Sequence, residues 1–222
     1  MIELPSKPNS SSQAPWRLAR QETSATLATK EADALGIDKK SYFEASTWSI
    51  FVRRFPWLLG LMLVQSISGW IVERFSELVS KHVVLASFLT MLVGGGGNSS
   101  GQTVAELVRM LSTGEVRFRQ FPRVFLRELA VGAALGFSLG LCAYPRVRLL
   151  SASSSNADAI TICLSYAIIV LIANVIGVVV AMTLHLCDAA AVGSPPVVQV
   201  VVDVLGVTIT MLIAQAILGE ND

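Results

Sequence analysis

The sequence predicts an all-α membrane protein built on five transmembrane helices, and three observations predict it. The chain of 222 residues is 53% hydrophobic and only 15% charged, with a mean hydropathy of +0.61. That is too apolar and too poor in charge for a water-soluble domain. Five stretches reach or approach the roughly 20 apolar residues that cross a bilayer. The basic residues, finally, divide unevenly between the two sides that those spans define.

Residues 1–44 stand apart as a flexible cytoplasmic tail, leaving 45–222 as the membrane domain. The tail is rich in Ser, Thr, Ala and Pro, with six basic and six acidic residues in balance. It has no apolar h-region, so it does not read as a secretory signal, and its acids argue against a transit peptide. Trp48, Phe51, Phe55 and Trp57 surround Arg53-Arg54 and read as an interfacial anchor leading into the first span. That span is uncharged over the 18 residues Phe55 to Val72. The second, Val83 to Ala105, is also uncharged and continues to about Leu111. The third runs from Leu129 to Tyr144 and the fourth, the cleanest, from Ala159 to Leu184. The fifth, from about Val197 to Leu218, carries a single charge, Asp203.

Placing the N-terminus inside gives the interior eight Lys/Arg from Lys7 to Arg54, and five more from Arg109, Arg117, Arg119, Arg123 and Arg127. The outside keeps Arg74, Lys81, Arg146 and Arg148. Thirteen against four predicts N-in and C-out.

The most telling segment is Gly94-Gly95-Gly96-Gly97-Asn98-Ser99-Ser100-Gly101-Gln102-Thr103, set inside the second span. Hydrocarbon cannot hydrogen-bond backbone groups, so irregular or glycine-rich chain at membrane depth requires burial by protein or access to water. Polar residues there are costly and mark pathways. Asp203 is the sharpest single candidate: a carboxylate about two turns into an apolar helix needs a cation, water or an ion beside it. Gln199, four residues earlier, shares its helix face. Together they offer the hard oxygen ligands that magnesium or calcium requires. The competing reading pairs Asp203 with an arginine near an interface. Ser194-Pro195-Pro196 suits the first turn of that helix; the carbonyls before it either line an entrance or simply precede a helix start.

Other polar residues read more plainly. Asn174, in the apolar fourth span, serves a hydrogen bond to a neighbouring helix. Glu128, at the start of the third, is either part of an ion path or an interfacial acid. Asp188 and His185 fall in a short loop. Gly132, Gly136 and Gly140 form a GxxxGxxxG series suited to close helix contact, within one chain or between two. Cys142, Cys163 and Cys187 lack pair spacing and read as small apolar residues rather than a disulfide or metal site. No Gly-Lys-Ser/Thr follows the glycine run, and there is no nucleophile elbow or HExxH, so nothing indicates an enzyme. With a net charge of +1 and no basic stripe, nucleic acid is not a partner.

In combination these motifs resemble the membrane domain of the MgtE family of magnesium channels and transporters, shared with related eukaryotic solute carriers. RRFPWLL (Arg53 to Leu59) is similar to that family's Arg-x-x-Trp-Leu-Leu start, and GGGGNSSGQT to its Gly-x-Gly-Gly-Asn-x-x-x-Gln-Ser/Thr signature. LVRMLSTGEV (Leu107 to Val116), RVFLREL (Arg123 to Leu129) and SPPVVQVVVDVLG (Ser194 to Gly206) follow in the family's order. The resemblance implies a homodimer with a central pore lined by spans two and five. It implies a metal site at Asp203 for partly hydrated magnesium, a backbone carbonyl at Gln199, and polar contributions from Ser194, Asn98 and Gln102. This chain departs from the pattern in several ways. Pro195 stands where the family often has Asn or Gly, Asp188 is one residue further from Asp203, and the acidic and CBS sensing module of bacterial members is missing.

The reading that results is a dimeric, five-span protein that passes hydrated divalent cations, above all magnesium, at a two-fold axis. The plasma membrane is the expected location, with an organellar one left open. The alternatives are a transporter of another metal or ion-coupled solute, and a non-transporting subunit whose acid meets a partner's arginine.

Overall fold

The computed structural model describes residues 46–151, 154–186 and 194–219. The tail expected over 1–44, the loop carrying Asp188, and Cys187 lie outside the described residues. Among those described there is no strand. The elements are α1 (Thr47–Arg74), a short α2 (Ser76–Lys81), α3 (Val83–Ser112), a 3-10 turn (Phe118–Gln120), α4 (Phe121–Leu150), α5 (Asn156–Leu186) and α6 (Ser194–Leu218). Five of these helices are long and apolar enough to cross a membrane. They match the five expected spans in order, each longer than its uncharged run. Helix α1, for example, begins at Thr47 and carries Arg53 and Arg54 inside its first turns.

The helix ends follow local chemistry. Trp48, Phe51 and Phe55 stack along one side of α1, with successive ring centroids 5.2 Å apart. Their spacing of three and four residues puts the three rings on one side of the helix start. Pro56 and Pro145 lie inside α1 and α4, where proteins at membrane depth tolerate them better than in water. Pro195 and Pro196 fall in the first turn of α6, where a missing N–H costs nothing. At the start of α5, Ser155 N and Oγ both lie 2.9 Å from Asp158 Oδ2. Asp158 N returns a bond of 3.0 Å to Ser155 Oγ, a reciprocal cap. The other Asp158 oxygen is 2.7 Å from Nδ1 of His82, the residue just before α3. The starts of α3 and α5 are thereby tied together.

The glycine run is helical throughout: α3 passes through Gly94 to Gly101 without a break. Each glycine disfavours a helix by about 1 kcal/mol against alanine. Without water as a competing partner, however, the backbone in a bilayer must satisfy itself, and the helix is retained.

Helix α5 is the hub, packing on α3, α4 and α6, while α6 also meets α3 and α1. Lipid is as apolar as leucine, so close packing rather than water exclusion joins these helices. The α4–α5 seam is made by Gly132, Gly136 and Gly140, all buried. A methyl group on Gly136 would strike the Ala167 carbonyl oxygen. One on Gly140 would lie 2.9 Å from the Cys163 carbonyl oxygen. The GxxxGxxxG series is therefore an intrachain seam. Where Gly132 passes α5, Asn174 fills the gap. In the orientation that satisfies its partners, the Asn174 amide donates to Ser99 Oγ at 2.7 Å and Thr103 Oγ1 at 3.2 Å, and accepts from Gly132 N at 3.3 Å. Thr103 in turn donates to Glu128 Oε2 at 3.3 Å. Asn174 thus has the interhelical role expected of it, and Glu128 joins the same network across α3, α4 and α5.

Helix α1 differs from the rest. None of its 28 residues is buried, and its principal contact is with α6.

Candidate functional site

Three helices converge on Asp203. Helix α6 carries it on the same face as Gln199. Helix α3 approaches α6 closely because its glycines leave room. A methyl at Gly96 would lie 2.6 Å from Ile169 Cγ2 and 3.0 Å from Val202 Cγ1. A methyl at Gly97 would strike the Gln199 carboxamide itself. From α6, Gly206 answers against Val93 at 3.2 Å. Helix α1 closes the third side.

The Asp203 side chain is buried, with the residue only 8% exposed. Gln199 Nε2 donates to its Oδ1 at 2.6 Å, and Gln65 Nε2 on α1 donates to its Oδ2 at 2.5 Å. Among the described residues no Lys, Arg or His forms an ion pair with it. The arginine pairing considered from the sequence is thus not made within the described part of the chain. A buried carboxylate held only by neutral amide donors keeps its negative potential unneutralised, the opposite of a structural ion pair.

The carboxylate opens on a cleft of about 350 Å³ lined by Gln65 and Ser68 of α1, Leu89, Thr90, Val93 and Gly94 of α3, and Gln199, Asp203 and Val207 of α6. Five of these nine residues are polar, which is unusual for a groove at membrane depth. It is wide enough for a cation that keeps part of its water shell, and its amide and hydroxyl groups suit bound water better than direct coordination. Among the described residues no cluster of three or more His, Cys, Asp or Glu forms a ready-made metal cage.

Of the residues singled out in the sequence, Asp203 and Gln199 come together. Asn98 and Gln102 do not join them. Both are exposed on α3, on the stripe that Gly94 begins and that recurs every four residues. Asn98 and Gln102 lie further along α3 and neither lines the cleft nor bonds to Asp203. Ser194 opens α6, and its side chain lies outside what is described. Gln65 was missed. Its signal was nonetheless present: Gln65, Ser66 and Ser68 are the hydrogen-bonding side chains of the uncharged first span, aside from its tryptophans.

Five helices long and apolar enough to cross a membrane define an integral, multi-pass membrane protein, one that carries an acid without an ion pair in a polar groove. Residues 89–213 match the MgtE family model, described as divalent cation transporter, and the chain belongs to that family. The matched region contains all five α3 glycines and Asp203. Among curated proteins, the chain is 27% identical over 198 residues to "Magnesium transporter MgtE" of Thermus thermophilus, covering 89% of this chain and 43% of that protein. It is 27% identical over 176 residues to the protein of the same name from Bacillus subtilis, covering 78% of this chain and 38% of that one. A shorter match, 30% over 89 residues, is to the same-named protein of Enterococcus faecalis, covering 40% of this chain and 20% of that one. The chain therefore spans less than half the length of the curated relatives it matches.

Proposed function

We propose that this chain passes divalent cations, chiefly magnesium, through a pore formed where two copies meet on a two-fold axis. The observation that carries the reading is the Asp203 carboxylate, buried, free of an ion pair in the described chain and open to a polar cleft at membrane depth. Relatives named for magnesium transport support the choice of ion. Magnesium gives up its inner waters reluctantly, and a negative charge surrounded by carboxamides favours a hydrated dication over monovalent ions and anions. In this reading Asp203 and Gln199 bind the ion through its water, together with Ser194 at the inner end of α6.

The dimer gives the α3 stripe a purpose. Asn98 and Gln102 form no side-chain hydrogen bond among the described residues, and amides facing lipid are costly. A second copy, or the water between two copies, relieves that cost and duplicates Asp203 across the axis. With the N-terminus inside the cell and the plasma membrane as location, α6 rises from the cytoplasmic side and Asp203 lies within the bilayer.

Purified protein in liposomes loaded with a magnesium-sensitive dye tests this. Wild-type protein is expected to carry inward flux. Asp203→Asn is expected to lower it by at least about 30-fold, the equivalent of about 2 kcal/mol for a lost contact to a charge, with the same elution profile in detergent. Equal flux from both proteins would end the assignment. Flux of a different ion, abolished by the same substitution, would move it to that ion.

A further inference from the structure

Helix α1 buries none of its residues, yet it supplies one of the two donors to the most buried acid of the cleft. Gln65 Nε2 occupies Asp203 Oδ2 at 2.5 Å, and Gln199 Nε2 occupies Oδ1 at 2.6 Å. Each carboxylate oxygen thus already has a hydrogen-bond donor. The water shell of a cation offers the carboxylate nothing but donors and positive charge. Each oxygen keeps a further lone pair for such a shell, but the two N–H groups already draw on the carboxylate's charge, and their positive dipole ends oppose the cation's approach. The two amides are not equally placed to yield. Gln199 lies on the same helix as Asp203, four residues before it, so its bond stays in place however α1 and α6 move relative to each other. Gln65 sits on a helix held principally by α6, with its own surface exposed.

We propose that Gln65 is a positioning residue that holds the Asp203 carboxylate in the unloaded site and is displaced by the arriving hydrated divalent cation, so that α1 shifts from α6 as the site fills. The inference rests on the reading of Asp203 as a cation site. Helix α1 then acts as an ion-dependent flank of the cleft, and the Gln65 to Asp203 bond tunes the cation concentration at which the site loads.

Gln65→Leu keeps the bulk of the side chain and removes the donor. In liposomes, the magnesium concentration for half-maximal flux is expected to fall about tenfold while the maximal rate stays within about twofold, since a bond to a charged acceptor no longer competes. A role confined to packing α1 would lower the maximal rate and leave half-saturation unmoved. A second arm keeps Gln65 intact and uses Ser68→Cys in the cleft, with Cys142, Cys163 and Cys187 replaced by alanine. Its modification by a water-soluble maleimide is expected to run severalfold faster in magnesium than in chelator, and to lose that difference when Asp203→Asn is added. If half-saturation is unchanged or raised in Gln65→Leu, or if labelling ignores magnesium, the inference is overturned, while wild-type flux lost in Asp203→Asn leaves the cation site standing. If wild type carries no flux, both fall. Should Gln65→Leu fail to fold, the labelling arm decides alone.

Discussion

Two rows of glycine run through this molecule, on helices of similar length, and they are used in opposite ways. On α4, Gly132, Gly136 and Gly140 are buried, and the last two face carbonyl oxygens of α5. What touches them is backbone, which cannot step aside, so the seam is shut. On α3, Gly95, Gly96 and Gly97 face the side chains of Tyr166, Ile169 and Gln199, and nothing lies within 4 Å of Gly94 or Gly101. At Gly95 and Gly97 the absent methyl groups clear the ends of Tyr166 and Gln199. At Gly96 the absence admits the buried branched side chains of Ile169 and Val202, and Gly94 leaves open space beside a polar cleft. A glycine row in a membrane helix can therefore mean closure or clearance, and the nature of the opposing atom tells them apart. Backbone opposite means a fixed seam, and flexible side chain opposite means a place that is able to rearrange.

Substitutions at the two rows separate closure from clearance. The largest effect on stability is expected at Gly136→Ala, because the new methyl meets a carbonyl that cannot retreat. Overpacking of this kind costs about 1–3 kcal/mol, and thermal unfolding in detergent should show it while flux per folded protein is preserved. A wild-type melting temperature for Gly136→Ala would refute the fixed seam. Asn174→Leu comes next. It removes bonds to Ser99 and Thr103 of the kind worth about 0.6 kcal/mol on average and up to about 1.7 kcal/mol within membranes. The expected result is modest destabilisation with half-saturation for magnesium unchanged. A marked shift in half-saturation would place the Asn174 network in the ion path instead. Smallest in stability, but not in transport, is Gly97→Ala. The Gln199 amide can swing away from a methyl, so any loss of stability should be smaller than at Gly136. Displacing that amide from Asp203 should still alter the flux curve. Gly94→Ala, with nothing within 4 Å, serves as its control and is expected to keep the wild-type flux curve and to lose no stability. If Gly97→Ala and Gly94→Ala behave alike, the α3 row does not shape the cleft.

Much of this arrangement was legible before any coordinates. Five apolar runs marked five helices, because the length of a membrane span is set by the bilayer and not by distant contacts. Asp203 and Gln199 were found as a pair because a spacing of four residues places both on one face of any helix. The prolines before them announced the first turn of α6. Gln65 was harder to find. It lies 138 residues from Asp203, on a helix whose apolar residues show no preferred face, and no local pattern gives the partner of such a residue. The glycine run suggested exceptional backbone, and the structure shows ordinary helix, since lipid offers the backbone no alternative partner. Its polar members also divided. Ser99 is buried against Asn174, whereas Asn98 and Gln102 face outward, a difference set by the rotation of α3 about its axis.

The sequence by itself determined the number of helices, their order and the one acid that a bilayer could not leave unexplained. All three follow from the cost of placing charge and unpaired backbone in hydrocarbon, which is counted residue by residue. The tertiary structure alone decided which faces meet. It made the α4 glycines an internal seam, the α3 glycines a clearance for Gln199, and α1 the source of the second donor to Asp203. Those choices depend on contacts between helices far apart in the chain, where shape and hydrogen bonding discriminate among surfaces that are all equally apolar.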